Sequence, residues 1–362
     1  MRSLAELGCR ECRPAIVRPP GVGPDAISRV LRVPPEAARL RLDLFVRNRL
    51  RNTSRTRAQS IIRNSAYTLD GRPLRASARL QAEDCVVLWR PAFESDEREL
   101  ELRVLYEDEH LLVVDKPPLV AVHPTARYYR HTVLRHLQGQ RPGEYLSLIH
   151  RIDRETSGIL MLARSLESDR AFKRMLERRT RSPGGDVAAD GDIGKTYLAI
   201  TWGVPPSGLI DRPLELDPES SMRVKMRLAR PGCGFRALTT ATVLEACAGY
   251  ALVLCQLHTG RQHQIRLHLA GVGCPVVGDK LYGPDERLLA RAADGQLTET
   301  DRGLLELPRH ALHAHRYRLR HAVSGMPLEL VSPFPQDLTR FWAGLHESGE
   351  GQTAPRDHDG CA

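Results

Sequence analysis

The sequence predicts a protein in two parts, a small N-terminal α/β domain and a larger domain that mixes strands with a few helices. Residues 39–63 place apolar side chains at helical spacing, and strand and turn signals follow them as far as residue 90. From residue 102, short strands such as "RVLYEDEHLLVVDKP" and "KTYLAITWG" alternate with a few helical patterns, without a Gly-rich phosphate loop. The 362 residues are enough for two separate cores.

Composition and charge narrow the class of protein. No apolar stretch approaches the ~20 residues that a membrane-spanning helix needs, and the N-terminus lacks the apolar segment of a signal peptide. We therefore expect a cytoplasmic protein without a membrane partner. The chain has 53 Lys and Arg against 44 Asp and Glu, a net charge of +9, which favours a polyanionic partner.

The cysteines and histidines do not indicate a metal site. Eight cysteines in a chain without a secretion signal are expected to be free thiols, and Cys9 with Cys12 forms a lone C-x-x-C. His258, His263 and His268 are five residues apart, so each would be rotated by ~140° from the last around a helix. We predict no metal and no cofactor.

The N-terminal region divides into an arm and two helices. Residues 1–38 are rich in Pro and Gly, which predicts an extended arm. Apolar side chains at helical spacing over 42–50 and 58–62 predict two helices, and Ser54 is placed to cap the second one. Asp70-Gly71 then signals a hairpin, and "AEDCVVLWR" reads as a closing strand.

The two helices carry a concentrated basic patch. Residues 39–63 contain eight arginines and a single acid, Asp43. The stretches "RLDLFVRNRL", "SRTRAQSIIRN" and "YTLDGRPLRASARLQAEDCV" resemble, in order, the parts of the S-four-type RNA-binding module, over residues 39–92. The resemblance implies that the arginines bind RNA; the alternative is a solvated basic surface. The predicted contacts are Arg47, Arg51, Arg55, Arg57 and Arg63.

The rest of the chain is punctuated by polar segments. Residues 93–101 are acidic and predict a linker, residues 182–194 are small and polar and predict a surface insertion, and 284–307 predict a polar helical segment. A helix is expected at "SDRAFKRMLERR". The C-terminal residues 341–362 have the composition of a disordered tail.

One loop is unusually rich in charge. The stretch "HRIDRETSGILMLARS", residues 150–165, lies between the strand-like runs "EYLSLI" and "ILMLA". This pattern places Asp153 in a tight loop that joins two buried strands. By composition alone, an ordinary polar loop is the competing interpretation.

This stretch closely resembles the signature of the RluA-type pseudouridine synthases. The stretches "VLYEDEHLLVVDKPPLVAVHP", "KTYLAITWG", "HTGRQHQIRLHLAGVGCPVVGDKLYG", "RHALHAHRYRL" and "SPFPQDL" support the resemblance in order, and together it covers about residues 39–340. It implies an α+β catalytic domain over 102–340, with a mixed, mostly antiparallel sheet flanked by helices and loops and a basic cleft for RNA.

The resemblance also implies the site residues. The family's catalytic aspartate falls on Asp153, its active-site tyrosine on Tyr197 and its buried basic residue on Arg266. Three further residues, His150, Arg151 and Arg154, are placed to bind phosphate or to support the loop around a uridine drawn out of its stack.

The chemistry explains these residue types. Isomerisation of uridine breaks the bond between nitrogen and sugar and joins ring carbon five to the same sugar carbon, so it needs no redox cofactor. A carboxylate, with a reference pKa of ~3.9, is charged at neutral pH. The residues leave open whether it attacks the sugar, attacks the uracil ring or removes a sugar proton. Arg266 would orient it, and Tyr197 would stack on the base and reach the departing proton.

We therefore predict a monomeric RNA pseudouridine synthase that acts on structured RNA, with ribosomal RNA as the first expectation and transfer RNA as the second. Two alternatives come from other classes, a non-catalytic RNA-binding or ribosome-assembly factor and a carboxylate-dependent N-glycosidase. Intact Asp153, Tyr197 and Arg266 argue against the first alternative. The 182–194 insertion and the 1–38 arm are departures from the family pattern that bear on which RNA is accepted.

Overall fold

The protein folds as two compact units, residues 1–95 and residues 96–362. They are seen in a computed structural model. It describes residues 15–23, 26–50, 53–90, 100–124, 131–181, 194–220, 224–230, 232–293 and 295–350.

The N-terminal unit packs two helices against a small antiparallel sheet. Its elements are β1 (Ile27–Arg32), a short 3-10 turn (Pro35–Ala37), α1 (Leu42–Arg49), α2 (Arg55–Ser65), β2 (Ala66–Tyr67) and β3 (Cys85–Arg90). The strand order is β1-β3-β2. The predicted helical pair is confirmed, because the apolar faces of α1 and α2 form the core of this unit.

Two local signals in this unit are also confirmed. The Ser54 side chain caps α2 by accepting a hydrogen bond from the amide of Arg57 at 3.2 Å. The chain reverses at Asp70-Gly71, where the amide of Thr68 donates to the carbonyl of Arg72 at 2.9 Å.

Two boundaries differ from the sequence expectations. Residues 27–32 are not an extended arm, because they pair along their whole length with β3. Residues 341–350 are not part of a disordered tail, since they complete a helix, Gln336–Glu350, whose buried side chains include Trp342. In both places tertiary partners supply the stabilisation that composition did not reveal. Residues 351–362 lie outside the described residues.

The larger unit is built on one extended sheet. Its strands are β4 (Arg103–Glu107), β5 (Leu111–Lys116), β6 (Ser147–Leu148), β7 (Ser157–Ala163), β8 (Gly194–Trp202), β9 (Gly208–Asp211), β10 (Leu214–Leu216), β11 (Met226–Leu228), β12 (Leu238–Cys247), β13 (Tyr250–Leu257), β14 (Leu312–Arg320) and β15 (Pro327–Val331). Its helices are α3 (Val133–Gln140), α4 (Leu166–Arg181), α5 (Gln264–Gly271), α6 (Arg287–Ala293), α7 (Glu299–Leu305) and α8 (Gln336–Glu350).

The sheet is mixed and mostly antiparallel, as predicted. Its main path is β4-β5-β7-β14-β8-β13-β12-β9, with β6 paired to β7 and β15 paired to β14, while β10 and β11 form a separate ribbon. Among the described strands, the parallel pairing is that of β7 with β14. Gly158 allows this pairing: its φ is +104°, and a Cβ there would overlap the backbone of Ala314.

Strand β7 runs through the centre of the core. All seven of its residues are buried. Ile159 and Met161 pack into the apolar cluster on one face of the sheet, whereas Leu160 and Leu162 pack into the cluster on the other. Because both faces are covered, β7 is a rigid support for the charged loop that precedes it.

The remaining elements place the other half of the site. The helix predicted at "SDRAFKRMLERR" is α4, and the polar segment predicted over 284–307 forms α6 and α7. The predicted insertion falls on residues 182–193, which are not described, and Gly194 already belongs to β8. Within the described residues no helix is long and apolar enough to cross a membrane.

Candidate active site

The charged loop sits between β6 and β7 and is held by backbone contacts. The amide of Thr156 donates to the carbonyl of Asp153 at 3.2 Å. Lys116 ends β5 with a fully buried side chain, and its Nζ donates to the carbonyls of Arg154 at 3.0 Å, Pro117 at 2.7 Å and Val120 at 2.9 Å. Lys116 therefore ties the residue after Asp153 to the neighbouring loop.

A second buried lysine fixes the same loop from the other side. Lys280 donates to both carboxylate oxygens of Glu155, each at 2.9 Å, and to the carbonyl of Pro308 at 2.7 Å. Glu155 also accepts from the amide of His310 at 3.2 Å. Since buried charges are expensive unless paired, these contacts select one loop conformation.

Asp153 lies at the end of a buried chain of charges. Its Oδ2 accepts from Nη1 of Arg266 on α5 at 2.8 Å. The other edge of the Arg266 guanidinium donates two hydrogen bonds to Asp279, from Nε to Oδ2 at 2.6 Å and from Nη2 to Oδ1 at 2.8 Å. The side chains of Arg266 and Asp279 are 8% and 0% exposed, whereas that of Asp153 is 29% exposed. A bidentate pair thus fixes the arginine, and the arginine fixes the one carboxylate that reaches the surface.

The electrostatics keep Asp153 ionised. Burial by itself raises its pKa, but the positive charges of His263, Arg266 and His310 outweigh burial and lower the pKa to about 2. Burial also lowers the pKa of His263 to about 4 and that of His310 to about 3. Both histidines are neutral at pH 7, so Arg266 is the charge that holds the carboxylate ionised at neutral pH.

His263 faces the other oxygen of the same carboxylate. It directly precedes α5 as the N-cap residue, in the left-handed backbone region with φ +57°, and its Nε2 lies 3.8 Å from Oδ1 of Asp153. The hydroxyl of Tyr282 accepts from the amide of Met226 at 2.9 Å and lies 2.9 Å from Nδ1 of His263. Tyr282 and His263 therefore share a hydrogen bond that holds the imidazole ring facing Asp153, with the donor set by the tautomer of the ring.

Tyr197 reaches the site from the sheet. It lies on β8, opposite Cys255 of β13 and Ala314 of β14, and is 7% exposed. Its hydroxyl is 2.6 Å from the hydroxyl of Tyr317, and the two ring centroids are 6.1 Å apart. The strand pairing and the tyrosine pair hold the ring in one place.

The three predicted catalytic residues line one cleft of about 1,140 Å³ in the larger unit. His150, Arg151 and Arg154 line it too. His150 accepts a hydrogen bond from the amide of Met161 at 3.2 Å, and burial holds its pKa well below the usual range, so it supports the loop as a neutral ring. Arg151 is exposed and therefore accessible to a phosphate.

The predicted RNA-binding arginines of the N-terminal unit are solvent-facing where they are described. Arg47, Arg55, Arg57 and Arg63 are exposed, and Arg51 lies outside the described residues. The single acid of this patch, Asp43, is fully buried. It accepts hydrogen bonds from Arg41, Arg55 and Gln59, which link α1 to α2. Because Asp43 is buried and paired, the exposed side of residues 39–63 carries arginines and no acid.

Among the side chains that the structure describes, no group of three or more His, Cys, Asp or Glu residues is arranged to hold a metal ion.

Comparison with known proteins decides the family. A family model described as RNA pseudouridylate synthase matches residues 110–271, a range that contains Asp153, Tyr197 and Arg266. The ribosomal large subunit pseudouridine synthase D of Xanthomonas campestris pv. campestris is 32% identical over 331 residues, which cover 89% of this chain and 94% of the relative. The chain belongs to the RNA pseudouridine synthase family. The resemblance inferred from the sequence is confirmed, and the enzyme is an isomerase.

Other relatives of this pseudouridine synthase agree. The protein of the same name from Pseudomonas aeruginosa is 32% identical over 334 residues, covering 90% of this chain and 98% of the relative. The solved structure of human RNA pseudouridylate synthase domain containing 4 is 26% identical with a TM-score of 0.50, and covers 67% of this chain and 92% of its own.

The synthase site includes residues for which sequence reasoning gave no role. The sequence prediction assigns no role to Asp279 or Tyr282, and it weighs His263 only against a metal site. One signal for Asp279 is its position in "PVVGDKLYG", where a carboxylate follows an apolar run after a single glycine. Such a buried acid needs a buried cation, but the sequence alone does not name Arg266 as the partner.

Proposed function

We propose that this synthase isomerises specific uridines of large-subunit ribosomal RNA, with Asp153 as the catalytic carboxylate. The relatives at 32% identity are named for the ribosomal large subunit, which supports the choice of RNA. The observation that carries the catalytic role is the geometry of Asp153, whose Oδ2 is held by Arg266 while the side chain remains partly exposed in the cleft.

The arrangement suits a reaction that begins with an ionised carboxylate. Arg266 cannot lose its proton at neutral pH, and Asp279 keeps it from turning away, so Oδ1 of Asp153 is presented to the nucleotide at a fixed position. The carboxylate starts the cleavage of the bond between nitrogen and sugar. After the uracil has turned and ring carbon five has joined the sugar, the proton of that carbon passes through the hydroxyl of Tyr197 to solvent, and the ring nitrogen that left the sugar takes up a proton from solvent.

The target uridine has to leave its stack to enter the cleft. This costs a few kcal/mol in a paired region, and it favours loops and poorly paired sites. Arg151 and Arg154 line the same cleft and offset the repulsion between Asp153 and the RNA phosphates. Structured RNA with exposed uridines is therefore the substrate class.

The N-terminal unit serves as an S-four-like RNA-binding module. Within residues 39–63 most of the described arginines are exposed and the single acid, Asp43, is buried, so this patch contacts phosphates without reading sequence. Its contribution is affinity and placement on the RNA rather than chemistry.

Chemical mapping of pseudouridine tests this proposal. Ribosomal and transfer RNA from cells that lack the protein are compared with RNA from cells that carry the wild type or Asp153→Asn. Loss of pseudouridine at large-subunit sites, restored by the wild type alone, is expected. Loss confined to transfer RNA would assign the second candidate substrate. Release of free uracil by the purified protein would assign a glycosidase, and unchanged maps would leave a binding factor.

A further inference from the structure

Phe235 is an aromatic side chain placed in solvent. It is 59% exposed, although only 5% of the chain is aromatic and most of its phenylalanine and tyrosine side chains that the structure describes are at least partly buried. A second exposed aromatic, Tyr145, is 41% exposed, and neither ring belongs to the lining of the cleft itself. An exposed phenylalanine keeps most of its ring surface in water, so the face of the ring is open to a ligand.

The backbone around Phe235 is fixed. Its amide donates to the carbonyl of Leu214 at 2.7 Å, and its carbonyl accepts from the amide of Leu214 at 2.9 Å. Gly234 precedes it with φ +71°, and a Cβ there would come within 2.7 Å of both the Leu214 carbonyl oxygen and the Ala229 Cβ. A rigid frame of this kind holds the ring in place before any ligand arrives.

An arginine of the cleft stacks on the ring. The guanidinium carbon of Arg261 lies 5.3 Å from the ring centroid of Phe235, and its Nε donates to the carbonyl of Arg236 at 3.2 Å. Arg261 also lines the cleft that holds Asp153. It precedes His263 by two residues, a backbone distance of at most ~7 Å, and His263 approaches Asp153 at 3.8 Å. Arg261 therefore brings the ring of Phe235 into contact with a residue of the cleft that holds Asp153.

We propose that Phe235 and Arg261 form a platform that stacks an unpaired nucleobase next to the target uridine in the RNA. This inference rests on the proposed function and adds the site that receives a flanking nucleotide. Every base has a flat π face that stacks on an aromatic ring, and the guanidinium adds positive charge where the RNA backbone passes. An aromatic ring in contact with a cation that lines the cleft favours a nucleobase over an apolar protein segment.

A double-mutant cycle between protein and RNA tests the platform. The probe is a synthetic RNA that carries the mapped target uridine, and a series of variants in which each flanking nucleotide in turn is abasic. Phe235→Ala should weaken RNA binding roughly tenfold to a hundredfold. The single-turnover rate at saturating enzyme should stay within about threefold, because the platform does not touch the reacting atoms. Phe235→Trp should bind within about threefold of the wild type.

The base that stacks on Phe235 is identified as the one whose removal and the Phe235→Ala substitution do not add in their effects on RNA binding. At one flanking position the abasic RNA should bind the wild type about as weakly as the intact RNA binds Phe235→Ala, and Phe235→Ala should lose nothing more on that abasic RNA. Tyr145→Ala removes an exposed aromatic from another part of the same unit, between α3 and β6, and as the matched control it should bind every RNA like the wild type. The tryptophan variant supplies a direct signal, since its added fluorescence should be quenched by the intact RNA and not by the abasic one.

The outcomes separate this inference from the proposed function. If the wild type converts the RNA but Phe235→Ala binds every RNA with wild-type affinity, the platform is wrong and the proposed function stands. If Phe235→Ala is defective on ribosomal particles but normal on naked RNA, the ring contacts a protein and the platform is again wrong. If the wild type converts no ribosomal RNA, the proposed function fails first and the inference falls with it.

Discussion

Replacing Asp153 with asparagine tests the central role assigned to this site. Asparagine keeps the size of the side chain and an oxygen that can still accept from Arg266, but it is neither a nucleophile nor a base at neutral pH. The rate of the chemical step should fall by roughly 10⁴- to 10⁶-fold, the scale seen when a catalytic nucleophile or its partner is removed. RNA affinity should change by no more than several-fold.

The structure also sets the cost to folding. The pKa of Asp153 is lowered from 3.8 to about 2, and this corresponds to at most about 2 kcal/mol of stability in the charged form. At pH 7 the histidines that contribute to this shift are neutral, so the loss in Asp153→Asn should be smaller. Arg266 keeps both bonds to Asp279, so no buried charge is left unpaired. The melting temperature should fall by only a few degrees.

The sign of the pH dependence follows from the lowered pKa. The stability that the ionised carboxylate contributes is complete above about pH 4 and is lost as the pH falls through about 2. The wild type and Asp153→Asn should therefore differ in unfolding free energy at neutral pH and converge in strong acid.

The assay is tritium release from RNA labelled at ring carbon five of uridine, run in single turnover beside a binding titration and a thermal melt of the same protein. Near-normal release by a folded Asp153→Asn enzyme would remove this carboxylate from the mechanism. Complete unfolding at pH 7 would refute the argument that Arg266 and Asp279 remain paired without it.

Three further outcomes are expected. Arg266→Lys should slow the chemical step by roughly 10- to 100-fold, because a lysine cannot bind both carboxylates in a fixed plane; single-turnover kinetics measure this. Replacing exposed Arg47, Arg57 and Arg63 with glutamine should reduce the magnitude of the slope of log affinity against log salt concentration by about 2, because each lost phosphate contact removes ~0.7 from that slope. Burial lowers the pKa of His313 to about 4, so stability should fall as the pH drops from about 6.5 to 4, and His313→Gln should reduce that slope in urea titrations.

Each of these outcomes has a clear opposite. A lysine enzyme with wild-type rate would show that Arg266 acts only as a charge. An unchanged salt slope would leave the N-terminal arginines as a solvated face. An identical pH slope in His313→Gln would mean that other groups account for the acid sensitivity of the fold.

Local patterns in the sequence were sufficient for the N-terminal helices and for the charged loop. Ser54 marks the start of α2, and apolar spacing marks the buried faces of both helices, because caps and helical periodicity depend on residues a few positions apart. The alternation of turn and apolar residues likewise placed Asp153 between strands. The predictions for residues 27–32 and 341–350 are wrong because β1 and α8 depend on partners elsewhere in the chain, β3 in the case of β1.

The residue types of the site can be predicted from the motif around Asp153, since that motif carries the family resemblance. Their contacts follow only from the three-dimensional fold. Arg266 is 113 positions from Asp153 and 13 from Asp279, and no periodic pattern links residues so far apart. Strand β7 and helix α5 bring these three side chains together. Because Arg266 and Asp279 are buried, each of these ions must have a partner, since the desolvation free energy of an unpaired ion in that interior would be very large.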